Sequence, residues 1–203
     1  MTLTQMTLFF FGVMAVIVIA MLVHSYLDKR KIRKSLYRLT RQYKGTVVQE
    51  SVFQYPRFYS EKNGRRFDLF FNVVKVGRHY ILYTIYSLTA SLPSPFLLIK
   101  KDSYKAISDE SRFTEENGAI LHEIDIPFQG RSKQPEWVQK AYKKNGIKEL
   151  IQALDPFFSV QLGPDALVAG KPYEGLSDID SEWVVRAVRT LEQLAIGLEE
   201  CTR

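Results

Sequence analysis

The first 27 residues of this chain contain no Asp, Glu, Lys or Arg. Within them, residues 6–23 form an apolar run that is long enough to cross a hydrocarbon core of about 30 Å as a helix. Residues 18–20 resemble a signal-peptide cleavage site, but the positively charged segment that precedes the apolar run of a signal peptide is missing. The sequence therefore predicts an uncleaved transmembrane anchor over residues 1–27.

Cysteine is almost absent, since Cys201 is the only one in the chain. A single cysteine excludes an intramolecular disulfide, and a chain without disulfides suits a reducing cytoplasm. We interpret a lone thiol so near the C-terminus as incidental rather than reactive.

Motifs that carry chemistry are also missing. No serine lies in a G-x-S-x-G turn, and no glycine-rich phosphate-binding motif is present. The segment His122-Glu123-Ile124-Asp125 holds metal-ligand residue types, but in a strand His122 points away from both Glu123 and Asp125. We therefore predict no metal and no cofactor, and favour a chain without chemistry of its own. The alternative is a membrane-tethered enzyme acting on a small molecule or a lipid headgroup, with His79 or His122 as the base.

A dense set of cations follows the apolar run. Residues 28–44 contain eight basic residues and one acidic residue. Because Lys and Arg beside a membrane-spanning segment mark its cytoplasmic side, we predict a single-pass inner-membrane protein with a cytoplasmic C-terminal domain. Several of these cations are expected to contact anionic lipid headgroups at the membrane surface. They are Lys29, Arg30, Lys31, Arg33, Lys34 and Arg38.

The net charge of +6 comes entirely from this basic segment. The rest of the chain has 20 basic and 21 acidic residues, so it is close to neutral. A nucleic-acid-binding domain is expected to be basic over its binding surface. The charge distribution therefore favours a lipid bilayer as partner and argues against nucleic acid.

The basic segment also carries an apolar stripe at helical spacing, formed by Ile32, Leu36, Leu39 and Tyr43. One interpretation, which we favour, is that the stripe packs on the protein's own domain. The other is that Leu36, Leu39 and Tyr43 contact a partner, either at an interface with another protein or in a homodimer. No Pro or Gly interrupts residues 13–44, so one helix is predicted to run from the membrane to a stop at Gly45.

Residues 45–203 are predicted to form one α+β domain with an antiparallel sheet, preceded by a basic juxtamembrane helix over residues 28–44. Asn63-Gly64 predicts a tight hairpin turn between two of the strands. The predicted strands cover residues 55–60, 66–74, 79–87, 96–100, 119–126, 157–162 and 166–169. The predicted helices begin at Pro135, at Ile147, and after an N-cap among Ser177, Asp178 and Asp180.

The second half of the chain resembles a family. His122, Phe128, Trp137, residues 150–157, the late hairpin and the helix over residues 191–198 are together similar to uncharacterised bacterial membrane-anchored proteins. In those proteins a cytosolic α+β domain follows one N-terminal transmembrane segment. The resemblance implies architecture and location, and no site residues. Because a well-patterned domain beside the membrane has no catalytic constellation, we expect a membrane-anchored interaction or regulatory module that binds a protein through its sheet edge or its apolar stripe.

Overall fold

The computed structural model describes residues 3–76, 78–91, 96–100, 119–121, 128–132, 134–143, 146–155, 157–163 and 165–201. Its longest element is helix α1, which runs without interruption over Leu3–Tyr43. At a rise of 1.5 Å per residue, α1 is about 60 Å long, which is twice the thickness of a hydrocarbon core. The apolar segment and the basic segment thus belong to one helix, as predicted.

Strands and three further helices follow α1. The strands are β1 (Thr46–Val48), β2 (Arg57–Lys62), β3 (Arg65–Val76), β4 (His79–Thr89), β5 (Phe96–Lys100), β6 (Ala119–Leu121), β7 (Phe128–Ser132), β8 (Ser159–Leu162) and β9 (Ala166–Pro172). The helices are α2 (Pro135–Tyr142), α3 (Ile147–Gln152) and α4 (Ser181–Glu199), and a 3-10 helix over Leu176–Ile179 precedes α4.

The first four strands form an antiparallel meander. Asn63 and Gly64 connect β2 to β3 with positive φ angles of 54° and 73°, and Lys62 pairs with Arg65 across the turn. A two-residue hairpin turn with both central φ angles positive is the tight turn that an Asn-Gly pair favours. The predicted hairpin is confirmed.

The remaining strands extend the meander into one sheet. The described strands form a nine-stranded sheet in the order β1-β2-β3-β4-β9-β8-β5-β7-β6, and every described pairing is antiparallel. Strand β9 pairs with β4, although some eighty residues separate them in the chain. The domain is therefore α+β with an antiparallel sheet, as predicted.

Helices α1 and α4 pack on one face of this sheet. Residues that are paired across neighbouring strands share a face, and the row beneath the helices consists of Phe58, Leu69, Tyr86, Ala169, Val160 and Leu98. Helix α4 begins after Asp180, whose carboxylate accepts a hydrogen bond from the Glu182 N–H at 3.1 Å, which confirms the predicted N-cap. Its buried residues are Val184, Ala187, Val188, Leu191, Leu194, Ala195 and Leu198.

The join between α1 and the sheet differs from the prediction. The residue with positive φ at the end of the helix is Lys44, at 48°, and not Gly45. A Cβ atom at Gly45 would lie 2.3 Å from the Phe58 ring and 2.5 Å from the Tyr59 carbonyl oxygen. Glycine is therefore needed here for the close approach of the chain to β2, and not for a left-handed helix end.

The core also begins earlier than the predicted domain boundary at residue 45, because Ile32, Leu36 and Leu39 of α1 belong to it. Strand β7 was not predicted. The strand predicted over residues 119–126 is described only for residues 119–121. The prediction concerning His122 lies outside the described residues.

Candidate functional site

The first half of α1 is a candidate membrane anchor. Every side chain from Thr4 to His24 is exposed, and no part of the most apolar stretch packs against the domain. A large apolar surface of this kind is favourable in a bilayer and unfavourable in water. This half of the helix is therefore a candidate for the connection between the domain and a lipid bilayer.

The basic segment on the second half of α1 has two kinds of cation. Arg30, Lys31, Lys34 and Arg38 are exposed, as is Arg33, which donates a hydrogen bond to the Tyr37 hydroxyl at 3.3 Å. Lys29 differs from them, because it is only 8% exposed. Its ammonium group donates to the Ser25 hydroxyl at 3.1 Å and lies 5.2 Å from the centre of the Tyr55 ring. Lys29 is thus turned toward the domain, whereas the prediction placed it against lipid.

Continuity of α1 also sets the distance of each cation from the bilayer. A straight helix that crosses a membrane cannot lie flat on the same membrane, so successive residues rise by 1.5 Å. Arg30 and Lys31 lie about 5 Å beyond Leu27 along the helix axis, whereas Arg38 lies about 16 Å beyond it. Since charges interact with a surface over a Debye length of about 8–10 Å, a bilayer that ended at Leu27 would have Arg30 and Lys31 nearer to its headgroups than Arg38.

The apolar stripe of α1 packs on the protein's own domain. Leu36 and Leu39 are fully buried in the core. Tyr43 is half-buried against the Phe67 ring at 6.1 Å, and its hydroxyl donates to the Val185 carbonyl at 3.4 Å. Burial raises the pKa of Tyr43 to about 12. The structure thus has the stripe packed on the protein's own domain, which is the favoured interpretation. The sheet and α4 cover Leu36 and Leu39, so these two are not accessible to a partner, whereas Tyr43 is half-buried.

An aromatic cluster lies where α1 first meets the domain. The Tyr55 ring, beneath Lys29, is 5.5 Å from the Phe71 ring, and Phe71 is 5.4 Å from the Tyr173 ring. Burial raises the pKa of Tyr173 to about 12, with smaller contributions from the carboxylates of Asp178 and Asp28. Burial, and then Asp28, also raises the pKa of Tyr55. The cluster is therefore close to the first charged residue after the apolar run.

These contacts give the direction of β3 relative to the apolar half of α1. Tyr43, at the far end of α1, packs on Phe67, whereas Lys29 lies over Tyr55, which packs on Phe71. Moving along β3 from Phe67 to Phe71 therefore corresponds to moving along α1 toward its apolar half. Strand β3 continues past Phe71 to Val76, so the β3–β4 turn lies at the end of the domain nearest the apolar half of α1. The β2–β3 turn lies at the opposite end.

A buried polar network lies on the helix-covered face of the sheet. The Lys171 ammonium group donates to the Asp178 carboxylate at 2.6 Å, and the Glu174 N–H donates to the second oxygen of that carboxylate at 2.7 Å. The Tyr86 hydroxyl donates to the Asp178 carbonyl at 2.5 Å and accepts from the Trp183 indole N–H at 3.0 Å. Burial raises the pKa of Tyr86 well above its usual value. Each oxygen of the Asp178 carboxylate thus accepts a hydrogen bond, and the network holds the 3-10 helix on the sheet.

The structure describes one of the two histidines that were predicted as possible bases. His79 is exposed at the start of β4, and His24 is exposed on α1 with its ring 3.1 Å from the Asp28 carboxylate. His122 lies outside the described residues. Within the described part of the chain, no three His, Cys, Asp or Glu side chains are grouped as metal ligands are. Cys201 is half-buried, and its thiol donates to the Gly197 carbonyl at 3.2 Å.

Sequence reasoning missed the aromatic cluster and the buried ion pair. Tyr55, Phe71 and Tyr173 come from three separate segments, and only the pairing of β9 with β4 brings Tyr173 to the other two. Asp178 was predicted as one of three possible N-caps, whereas it binds Lys171 instead. The sequence does contain a signal for this ion pair, because Lys171 stands in an otherwise apolar strand and Asp178 follows it by seven residues.

Comparisons with known proteins support the fold. No family model and no curated protein matches the chain. Among solved structures it is similar to the crystal structure of the mycobacterial trehalose monomycolate transport factor A, TtfA. The two share 10% sequence identity and superpose with a TM-score of 0.59, over 83% of this chain and 95% of the other. At this identity the similarity concerns the fold alone. It does not show that the chain belongs to the predicted family of bacterial membrane-anchored proteins.

Proposed function

We propose that this chain is a single-pass inner-membrane protein whose cytoplasmic α+β domain is an accessory module that binds a protein partner at the membrane surface. The observation that carries the proposal is the continuity of α1, whose first half is the candidate anchor and whose second half is part of the domain core. A domain folded around the end of its own anchor is held at the membrane permanently. That arrangement suits a protein that positions or regulates others there.

The cytoplasmic orientation is supported by charge. Eight basic residues follow the apolar run and none precedes it, and the exposed Arg30 and Lys31 are the cations nearest the membrane. Cytoplasmic segments that adjoin a membrane carry an excess of Lys and Arg. The name of TtfA, a transport factor for trehalose monomycolate, agrees with an accessory role at a membrane and identifies neither partner nor cargo for this chain.

We expect the partner on the sheet face opposite to α1 and α4. This face carries half-buried apolar side chains at Phe70, Val74, Ile81, Ile85 and Val168. The outermost described strands, β1 and β6, have three residues each, and such short edges disfavour the addition of a further strand. The face of the sheet is therefore a better candidate than its edge, which the sequence favoured.

Two experiments test the proposal in the full chain. A C-terminal fluorescent reporter should be active and a C-terminal alkaline phosphatase reporter inactive, because the phosphatase folds only outside the cytoplasm. Strong phosphatase activity would reverse the orientation.

The partner surface is tested by photocrosslinking in cells, with a photoreactive residue at Gln161 on the open face or at Gln193 on the exposed side of α4. We expect a discrete protein adduct from Gln161 and none from Gln193. Equal patterns from the two glutamines would exclude this face as the contact surface.

A further inference from the structure

The end of the domain nearest the apolar half of α1 carries an unusual concentration of exposed apolar side chains. Outside α1, four large apolar residues of the described chain are more than half exposed, namely Val52, Phe53, Val73 and Tyr80. Phe53 is 71% exposed and Tyr80 is 72% exposed. Val52 and Phe53 lie in the β1–β2 loop, and Val73 and Tyr80 lie near the tip of the β3–β4 hairpin. Val52 and Phe53 thus lie in one connection of the sheet, and Val73 and Tyr80 lie in the paired strand ends beside the next connection.

Both connections lie beside the point where α1 leaves the apolar segment. Val52 and Phe53 precede Tyr55, whose ring is under Lys29. Val73 follows Phe71 of the same aromatic cluster, and Tyr80 is paired with Lys75. At about 3.3 Å per residue, Val73 is about 7 Å and Lys75 about 13 Å past Phe71 along the strand. Leu27 is only about 3 Å past Lys29 along α1, so the hairpin tip reaches the level of the bilayer surface.

The residue types at these positions match a lipid interface. Tyrosine is enriched where a membrane protein passes from hydrocarbon to water, because its ring is apolar and its hydroxyl is polar. Lys75, Arg78 and His79 are exposed around the hairpin tip. Exposed cations at this level attract anionic headgroups. Binding to a protein partner would not explain why both connections lie level with the end of the anchor. Contact with the bilayer that the anchor enters would explain it.

We propose that the β1–β2 loop and the tip of the β3–β4 hairpin insert their apolar side chains into the surface of the membrane that α1 crosses, with Lys75 and Arg78 on its anionic headgroups. The inference rests on the part of the proposed function in which α1 crosses a membrane. It adds that the domain touches the bilayer at two places besides its anchor. Val52 and Phe53 form one contact, and Val73 and Tyr80 form the other.

The test uses the full chain in which Cys201→Ser removes the native thiol, reconstituted alone into vesicles that contain phosphatidylglycerol. Single cysteines at Val52 or His79 carry an environment-sensitive fluorophore, and a cysteine at Lys62, at the opposite end of the domain, is the matched control. We expect a blue-shifted emission from the first two positions, quenched several-fold more strongly by brominated lipid than emission from position 62. In the same labelled chains, Phe53→Ser with Tyr80→Ser should remove most of that quenching, and both residues are too exposed for the exchange to disturb the core.

Resistance to alkaline extraction reports separately whether α1 is inserted. An inserted chain whose labels at positions 52 and 79 behave like the label at position 62 would overturn the docking proposal and leave the proposed function standing. A chain that alkaline extraction removes from the vesicles would overturn both. Vesicles of phosphatidylcholine alone should give weaker quenching at position 79, and equal quenching would contradict the role given to Lys75 and Arg78.

Discussion

The two halves of α1 share one helix and have opposite environments. The apolar half, up to His24, has every described side chain exposed, whereas the cationic half places Ile32, Leu36 and Leu39 in the core with 2% exposure or less. The less hydrophobic half is thus the one that the domain buries. The comparison teaches that total hydropathy identifies a membrane anchor, whereas the helical spacing of a few apolar residues identifies a face of a protein core.

The largest test of this comparison is truncation within α1. A fragment of residues 28–203 should be soluble and should unfold cooperatively, because it keeps the buried stripe. A fragment of residues 45–203 should not fold, since each missing aliphatic side chain contributes about 2–5 kcal/mol and a whole domain is stable by only about 5–15 kcal/mol. Circular dichroism during heating distinguishes the two fragments. Matching melting curves would show that the stripe lies outside the folding unit.

A matched pair of leucines tests the same contrast within the full chain in detergent. Leu36→Ala should lower the free energy of unfolding of the domain by about 2–5 kcal/mol, because Leu36 is fully buried. Leu22→Ala should leave it unchanged, because Leu22 is 51% exposed on the apolar half of α1. Denaturant titration followed by tryptophan fluorescence measures both values. A comparable loss from the two variants would remove the distinction between the two halves.

A matched pair of glycines sharpens the comparison at the point where α1 ends. Gly45→Ala should destabilise the domain by about 1–3 kcal/mol, since the added methyl group would overlap the Tyr59 carbonyl oxygen and the Phe58 ring. Gly12→Ala should leave domain stability unchanged, because nothing lies within 4 Å of the added atom. The same denaturant titration is the measurement. A neutral Gly45→Ala variant would show that β2 can move away from the helix end.

The smallest expected difference is in the response to alkali. Burial raises the pKa values of Tyr43 and Tyr173 to about 12, so the stability that depends on their neutral forms is complete below pH 10 and is lost as the pH rises toward 12. The apolar half of α1 has no Asp, Glu, Lys or Arg, and its membrane insertion should persist over the same range. Tyrosinate absorbance measures the ionisation of the buried tyrosines, and the fraction of the chain retained in vesicles measures membrane insertion. Following both as the pH rises separates the two responses. Release of the chain at the pH where the domain unfolds would contradict this independence.

Local features of the fold were predictable because they depend on neighbouring residues. The Asn63-Gly64 turn, the Asp180 N-cap and the uninterrupted α1 follow from backbone preferences that act over a few residues. The pairing of β9 with β4 depends instead on contacts between distant segments. No local pattern indicates which strand a late hairpin joins.

The sequence predicted which residue types the candidate site contains, but not how the fold arranges them. The cations of α1 look equivalent in the sequence, but Lys29 lies on the helix face that meets Tyr55, and only the folded domain shows this. The stripe predicted a buried face without identifying what covers it. Strand β7, which is Phe128-Gln129-Gly130-Arg131-Ser132, has no alternation of apolar and polar residues and gave no strand signal.

Because the anchor and the core share one helix, the number of residues between them sets a rotational phase. Each residue turns an α-helix by about 100° and advances it by 1.5 Å. Inserting one residue after Leu27 would therefore turn the domain by about 100° around the axis of α1, while its distance from the apolar segment would hardly change. In the membrane-anchored arrangement that we propose, the direction in which the open sheet face points is thus encoded in a count of residues.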